Sequence, residues 1–200
     1  MDDNFTAKEI RREKNRAIRL EVYEWLQSII SALLACVLIF VFAARVIGVI
    51  GSSMEPTLYW GDKIIISNLF YTPQQGDIIV LRKDTFKDDP IVKRVIAVGG
   101  QTVDINFDEG IVYVDGVALE EDYVAEPTYR EIDFRGEITV PDGCVFVLGD
   151  NRNASSDSRD NSIGCVDERY ILGKAYLLIL PGENPETEVK ELGRIGRLYD

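Results

Sequence analysis

Thr102–Leu119 reads TVDINFDEGIVYVDGVAL, and this stretch decides the fold class. Thr102–Phe107 and Ile111–Val114 are short runs rich in β-branched residues between turn signals, the pattern of strands. Asp108-Glu109-Gly110 joins the two runs as a hairpin, and Asp115-Gly116 turns the chain back into Val117. Working outward, short β-branched runs recur between turn signals. They are Lys63–Ser67, Asp77–Arg82, Ile91–Val98, Val117–Leu119, Ile138–Val140, Cys144–Leu148 and Lys174–Leu180. This spacing predicts a mainly β body, a small coiled antiparallel barrel or sandwich. Residues 120–136 are polar and irregular and read as an excursion from the main sheet. The tail after Pro181 is charged, with room for at most a short helix.

The N-terminal quarter reads differently. Leu26–Ala44 (LQSIISALLACVLIFVFAA) carries no charge, and only Gln27, Ser28 and Ser31 are clearly polar. With its flanks the segment is long enough to cross a bilayer core, which takes about 20 helical residues. It is too long for a cleavable leader, and too long for an ordinary buried core helix. The organisation expected is a polar N-terminal segment over 1–25, an anchor over 26–46 and a β body over 47–200. Basic residues crowd the flank before the span, which places the N-terminus in the cytoplasm and the body outside. Arg45 is expected to snorkel to the outer interface.

Charge and composition remove several function classes. The net charge is −12, and residues 1–44 balance six Lys/Arg with six Asp/Glu, so the whole excess lies in the body. An acidic body argues against nucleic acid as a partner. The chain has no histidine. That excludes a Ser–His–Asp triad, a Cys–His pair and the H-E-x-x-H zinc signature. A hydrolase here must draw its base from Lys, Asp, Glu or Tyr. No metal or cofactor is expected. The three cysteines are too few for a disulfide framework; Cys144 and Cys165 read as separate thiols or as one pair.

Three segments carry chemistry. The first is Gly51-Ser52-Ser53-Met54-Glu55-Pro56-Thr57-Leu58, just after the span. The second is Val92-Lys93-Arg94-Val95-Ile96, in a strand. The third is Gly149-Asp150-Asn151-Arg152-Asn153-Ala154-Ser155-Ser156-Asp157-Ser158-Arg159, a polar loop. A serine nucleophile needs a base, and without histidine the candidate is a lysine whose ammonium is disfavoured by burial. Lys93 sits among Ile91, Val92, Val95 and Ile96 and fits that role. Taken alone, the dipeptide Lys93-Arg94 reads more readily as an exposed pair on an edge strand.

Taken together and in order, these boxes resemble those of type I signal peptidases, in the Gram-positive-like form. Gly76–Val80 resembles that family's intervening strand, and the resemblance covers roughly Ile47–Ala175. It implies Ser53 as nucleophile and Lys93 as general base, with Ser155 hydrogen-bonded to that lysine. Asp157 and Arg159 fall on a pair that organises the loop beneath the dyad, and Met54 orders the backbone behind Ser53. Asp150 and Arg152 read as loop scaffolding. Gly51 stands where some members carry a serine that helps the oxyanion hole. Ala97–Gln101 departs from the usual turn after the lysine, and Ala154 replaces a frequent asparagine.

The resemblance also implies a substrate. Ile47–Gly51 and Pro90–Lys93 would flank an extended peptide, with Ile50, Gly51 and Val92 as its contacts. Small side chains, typically Ala, would fill the first and third positions before the cut. The expected partners are preprotein signal peptides and membrane lipid, with proximity to the secretion translocon; the expected place is a bacterial plasma membrane. Extended chain reaches at most ~3.5 Å per residue, so Ser53 stays within ~25 Å of the end of the span. Three other readings compete. A self-cleaving repressor would need a DNA-binding motif and a cytosolic body. An inactive tethered binding module would keep the fold without the chemistry. A penicillin-binding type of acyltransferase would need an S-x-x-K that the chain lacks.

Overall fold

The computed structural model describes residues 7–83, 89–196 and 198. Residues 1–6 of the expected polar segment lie outside that set. Ala7–Ala43 form a single helix, α1. By length and composition its Lys14–Leu38 stretch suffices to cross a membrane, and its described side chains are exposed throughout. The anchor expected over 26–46 needs one correction. The helix ends at Ala43, and Arg45–Gly48 form a strand, β1, so Arg45 and Val46 belong to the body. Hydropathy alone cannot separate the end of an apolar helix from a β-branched strand that follows directly.

From Ala44 onward the chain is a separate compact unit of antiparallel strands. They are β1 (Arg45–Gly48), β2 (Lys63–Ser67), β3 (Ile78–Leu81), β4 (Ile91–Val98), β5 (Thr102–Asn106), β6 (Ile111–Val114), β7 (Val117–Ala118), β8 (Ile138–Thr139), β9 (Cys144–Leu148), β10 (Val166–Asp167) and β11 (Ile171–Leu180). Seven of them form a curled sheet in the order β1-β2-β11-β3-β4-β9-β10, and four form a smaller sheet, β7-β6-β5-β8. The hairpins expected around Gly110 and Gly116 are both present, with Ile105 opposite Val112 and Val114 opposite Val117. Register shifts in β4 and β11 bend the large sheet. β1 and β10 were not legible as strands, one hidden against the span and the other only two residues long.

Three apolar clusters hold the body together. Phe146 and Leu148 of β9 and Ile96 of β4 pack against Val103, Ile105, Val112 and Val114, joining the small sheet to the large one. Phe134 bridges Phe107 and Phe146 edge to face, with centroids 5.9 Å apart in each pair. A second cluster lies on β3, β4 and β9 with Ile163, Val166 and Ile171. The third holds the site: Met54 and Leu58 sink among Ile64, Ile66, Ile78, Val80, Val92 and Leu178. β4 is therefore interior, flanked by β3 and β9, and both Lys93 and Arg94 are buried. The edge-strand reading of that dipeptide is overturned. Cys144 and Cys165 are free thiols, and burial is the main cause pushing both above the usual thiol range.

Candidate active site

Ser53 lies in a tight turn that its neighbours fix from below. The Glu55 N–H bonds to Ser52 O (3.1 Å) and the Leu58 N–H to Met54 O (2.8 Å). Met54 and Leu58 are 1% and 0% exposed, so the turn is nailed to the core on either side of the bend. Gly51, at φ 91°, supplies a left-handed conformation that a residue with a Cβ disfavours. Ser53 itself is only half-buried and its hydroxyl faces the site.

Lys93 reaches the same point from β4. Its Nζ lies 2.7 Å from Ser53 Oγ and 2.9 Å from the Val92 carbonyl oxygen, and the residue is 3% exposed. Forty positions separate the two residues in the chain, so only the curl of the sheet brings them together.

The polar loop after β9 forms the floor. The Asn151 N–H bonds to Ser53 O (3.0 Å), and its side-chain amide bonds to Ser52 O (3.2 Å). Asp157 and Arg159 form a fully buried bidentate pair at 2.8 and 2.9 Å, and Asp157 also accepts the Gly149 N–H at 3.1 Å. Arg159 then ties down the carbonyls of Arg152 (2.6 Å) and Arg130 (2.7 Å). Removing one partner of such a pair would leave a buried charge uncompensated, at a cost of roughly 3–5 kcal/mol.

Ser155 is a correction. It is 1% exposed and sits at this floor, but the expected hydrogen bond to Lys93 is not formed. Among the described residues, its Oγ is buried without a hydrogen-bond partner. Lys93 turns instead toward Ser53 and the Val92 carbonyl.

Sequence reasoning missed a second buried network beside Ser53 and Lys93. Arg94 grips Asp150 with two bonds of 2.7 and 2.8 Å, and Thr57 Oγ1 donates to the same carboxylate at 2.5 Å. The Arg94 guanidinium lies 3.9 Å from the centroid of the Tyr123 ring. Burial, with Glu121 adding to it, pushes the Tyr123 phenol far above its ordinary range. Arg152 in turn pairs with Glu121 at 2.6 Å and bonds Thr128 at 3.0 Å. The excursion at 120–136 is thus clamped to the polar loop. The one signal in the sequence was an arginine and an aspartate placed inside two boxes of chemistry.

The expected substrate contacts differ in exposure. Ile50 is 72% exposed, whereas the Val92 side chain is 7% exposed and belongs to the core. Any peptide contact of Val92 therefore runs through its main chain. Val95 exchanges bonds with Gly76 and Asp77, so by strand alternation Val92 directs its N–H away from β3. On that side β9 begins its pairing only at Arg94, opposite Leu148.

A family model described as signal peptidase, peptidase S26, matches residues 22–180. The chain belongs to that signal peptidase family. A probable signal peptidase I-1 from Synechocystis sp. is 38% identical over 75% of this chain and 78% of its own length. A signal peptidase I from Bacillus licheniformis is 32% identical over 84% of this chain and 94% of its own. A crystal structure of a signal peptidase I from Enterococcus faecalis, 32% identical, aligns with a TM-score of 0.44 over 52% of this chain and 97% of that one. The protein is accordingly a peptidase of the signal-peptide-removing class, with one N-terminal helix of membrane-spanning length.

Gly149 gives this signal peptidase a sharp test of its packing. A Cβ added there would collide with the Ser53 carbonyl oxygen and with Ser155 Oγ and Cβ. Gly149→Ala is expected to displace the Ser53 turn and to lower cleavage by on the order of 10²-fold, the effect of about 1 Å of misplacement. Steady-state kinetics on a preprotein, with near-ultraviolet circular dichroism to confirm folding, would measure it. Wild-type rates would mean that the floor yields without disturbing Ser53.

Proposed function

We propose that the protein cleaves preproteins after their signal peptides by a Ser53–Lys93 dyad. The observation that carries this reading is the 2.7 Å separation of Lys93 Nζ and Ser53 Oγ, with the lysine 3% exposed. A neutral Lys93 amine takes the Ser53 proton as Oγ attacks the scissile carbonyl. The ammonium so formed returns a proton to the leaving amine, and a water then enters by the same exchange to release the acyl group. The Ser53 N–H helps to hold the oxyanion, for which each donor is worth roughly 3 kcal/mol.

The substrate binds as an added strand. Its backbone pairs with the outward main chain of Val92 on one side and with Ile50 and Gly51 on the other. Small side chains, Ala above all, occupy the first and third positions before the cut. The assay that tests this reading uses purified full-length protein in detergent and a preprotein with an A-x-A site. Cleavage by wild type and its loss in Ser53→Ala are expected.

The anchor sets the geography. The N-terminus lies in the cytoplasm of a bacterial cell, α1 crosses the plasma membrane, and the body faces outward beside the secretion translocon. The support is the basic flank before the apolar run. Protease added to intact spheroplasts should trim the body while the N-terminal segment stays protected; a body shielded until lysis would reverse the orientation.

A further inference from the structure

The family match ends at residue 180, yet the chain beyond it returns to the nucleophile turn. Arg194 Nη2 donates to the Thr57 carbonyl oxygen at 2.9 Å. The same guanidinium bonds both oxygens of Asp62, at 2.8 and 3.2 Å, and lies 4.2 Å from the centroid of the Tyr59 ring. Asp62 is fully buried. It also accepts the Tyr59 N–H (2.9 Å) and the Gly182 N–H (2.6 Å). One carboxylate thereby ties together the turn after Ser53, the exit of β11 and the C-terminal segment. Gly182 makes this approach possible, because a Cβ there would strike the Trp60 carbonyl oxygen and the Asp62 nitrogen. Leu198, 6% exposed, completes the tie by packing in the cluster that holds Met54 and Leu58.

The Ser53–Leu58 turn is therefore held from two directions. Asp150 and Asn151 hold it through Thr57 Oγ1 and the Ser53 carbonyl. Arg194 holds it through the Thr57 carbonyl, within the turn that the Leu58-to-Met54 bond closes. A nucleophile gains rate only when its attack geometry is fixed in advance, and small displacements are expensive. A planar guanidinium suits this task because its fork can serve a carbonyl and a carboxylate together.

We propose that Arg194 is a positioning residue: the C-terminal segment is a clamp that holds the Ser53 turn in its attacking geometry. The proposal rests on Ser53 being the nucleophile. It predicts that Arg194→Ala lowers kcat by on the order of tenfold and leaves KM within about twofold, in protein shown to be folded at the assay temperature. A role in stability alone would lower the melting temperature and leave kcat per folded molecule unchanged. Wild-type kcat in folded Arg194→Ala, or a loss confined to KM, would overturn the proposal.

Should Arg194→Ala fail to fold, Arg194→Lys decides. Lysine keeps the positive charge beside Asp62, but its single ammonium cannot reproduce the planar fork. An intermediate, severalfold loss of kcat supports the clamp, and wild-type kcat overturns it. Ser53→Ala run in parallel separates the two ideas. Activity in Ser53→Ala removes the nucleophile assignment itself. An inactive Ser53→Ala beside fully active Arg194 variants removes the clamp alone.

Discussion

Ser53→Ala and Lys93→Ala are each expected to reduce preprotein cleavage to background, on the order of 10⁴-fold or more in kcat, and the double variant should be no worse than either single one. In the proposed mechanism the two side chains act as one proton-transfer unit, so removing either would remove the whole step. The structure makes the test interpretable. Ser53 is half-buried, and its turn is held by backbone bonds and by Met54 and Leu58, none of which needs the hydroxyl. Ser53→Ala should therefore melt close to wild type. Lys93 is more delicate, because truncating a buried four-carbon stem leaves a cavity. Lys93→Met keeps the length of the stem and removes only the amine, which makes it the better probe of chemistry against folding. Kinetics on an A-x-A preprotein in detergent, read beside thermal unfolding, give the result. Substantial turnover in folded Ser53→Ala or Lys93→Met, with contaminating peptidase excluded, would end the dyad assignment.

How far the sequence reaches can be judged from these residues. β-Branched runs and turn chemistry located nine strands, because local composition and Gly-containing turns are properties of short stretches of chain. β1 was not local in that sense: Arg45–Gly48 became a strand only by pairing with Lys63–Ile66. The order of strands in the sheet is likewise a matter of pairing across distance. β11 lies between β2 and β3, which no spacing announces.

At the site, the three boxes named Ser53 and Lys93, and the fold brings them within hydrogen-bonding distance. The sequence could not show which way each polar side chain turns. Ser155 lies buried beneath the site without the bond to Lys93, while Arg94, legible as an exposed residue, is closed on Asp150. Arg194 was invisible for another reason. It stands in a charged tail, and charged tails are ordinarily solvated; its partners, the buried Asp62 and the Thr57 carbonyl, lie far back in the chain.

The second large effect concerns pH. An unperturbed lysine titrates near 10.4, so at neutral pH almost none of it could accept a proton. Burial in an apolar strand favours the neutral amine, and Lys93 is 3% exposed beside Ile91 and Val95. The form needed is the deprotonated one, so the sign is fixed: kcat/KM should rise with pH through the neutral-to-alkaline range, following a single deprotonation. Few other groups could imitate that limb. The chain has no histidine. Burial raises the Cys144 and Cys165 thiols, and it raises the Tyr59 and Tyr123 phenols beside Arg194 and Arg94. These groups are thereby moved away from neutrality. Lys93→Arg supplies the decisive comparison. It keeps a cation at the site, yet guanidinium does not release its proton at any usable pH. The arginine variant should be inactive from about pH 6 to 10, a window that ends just below the ordinary lysine value. An active arginine variant, or a flat wild-type profile over that window, would make Lys93 an electrostatic aid and place the base elsewhere. A rising limb that vanishes with the amine would tie the proton transfer to Lys93 Nζ, 2.7 Å from Ser53 Oγ.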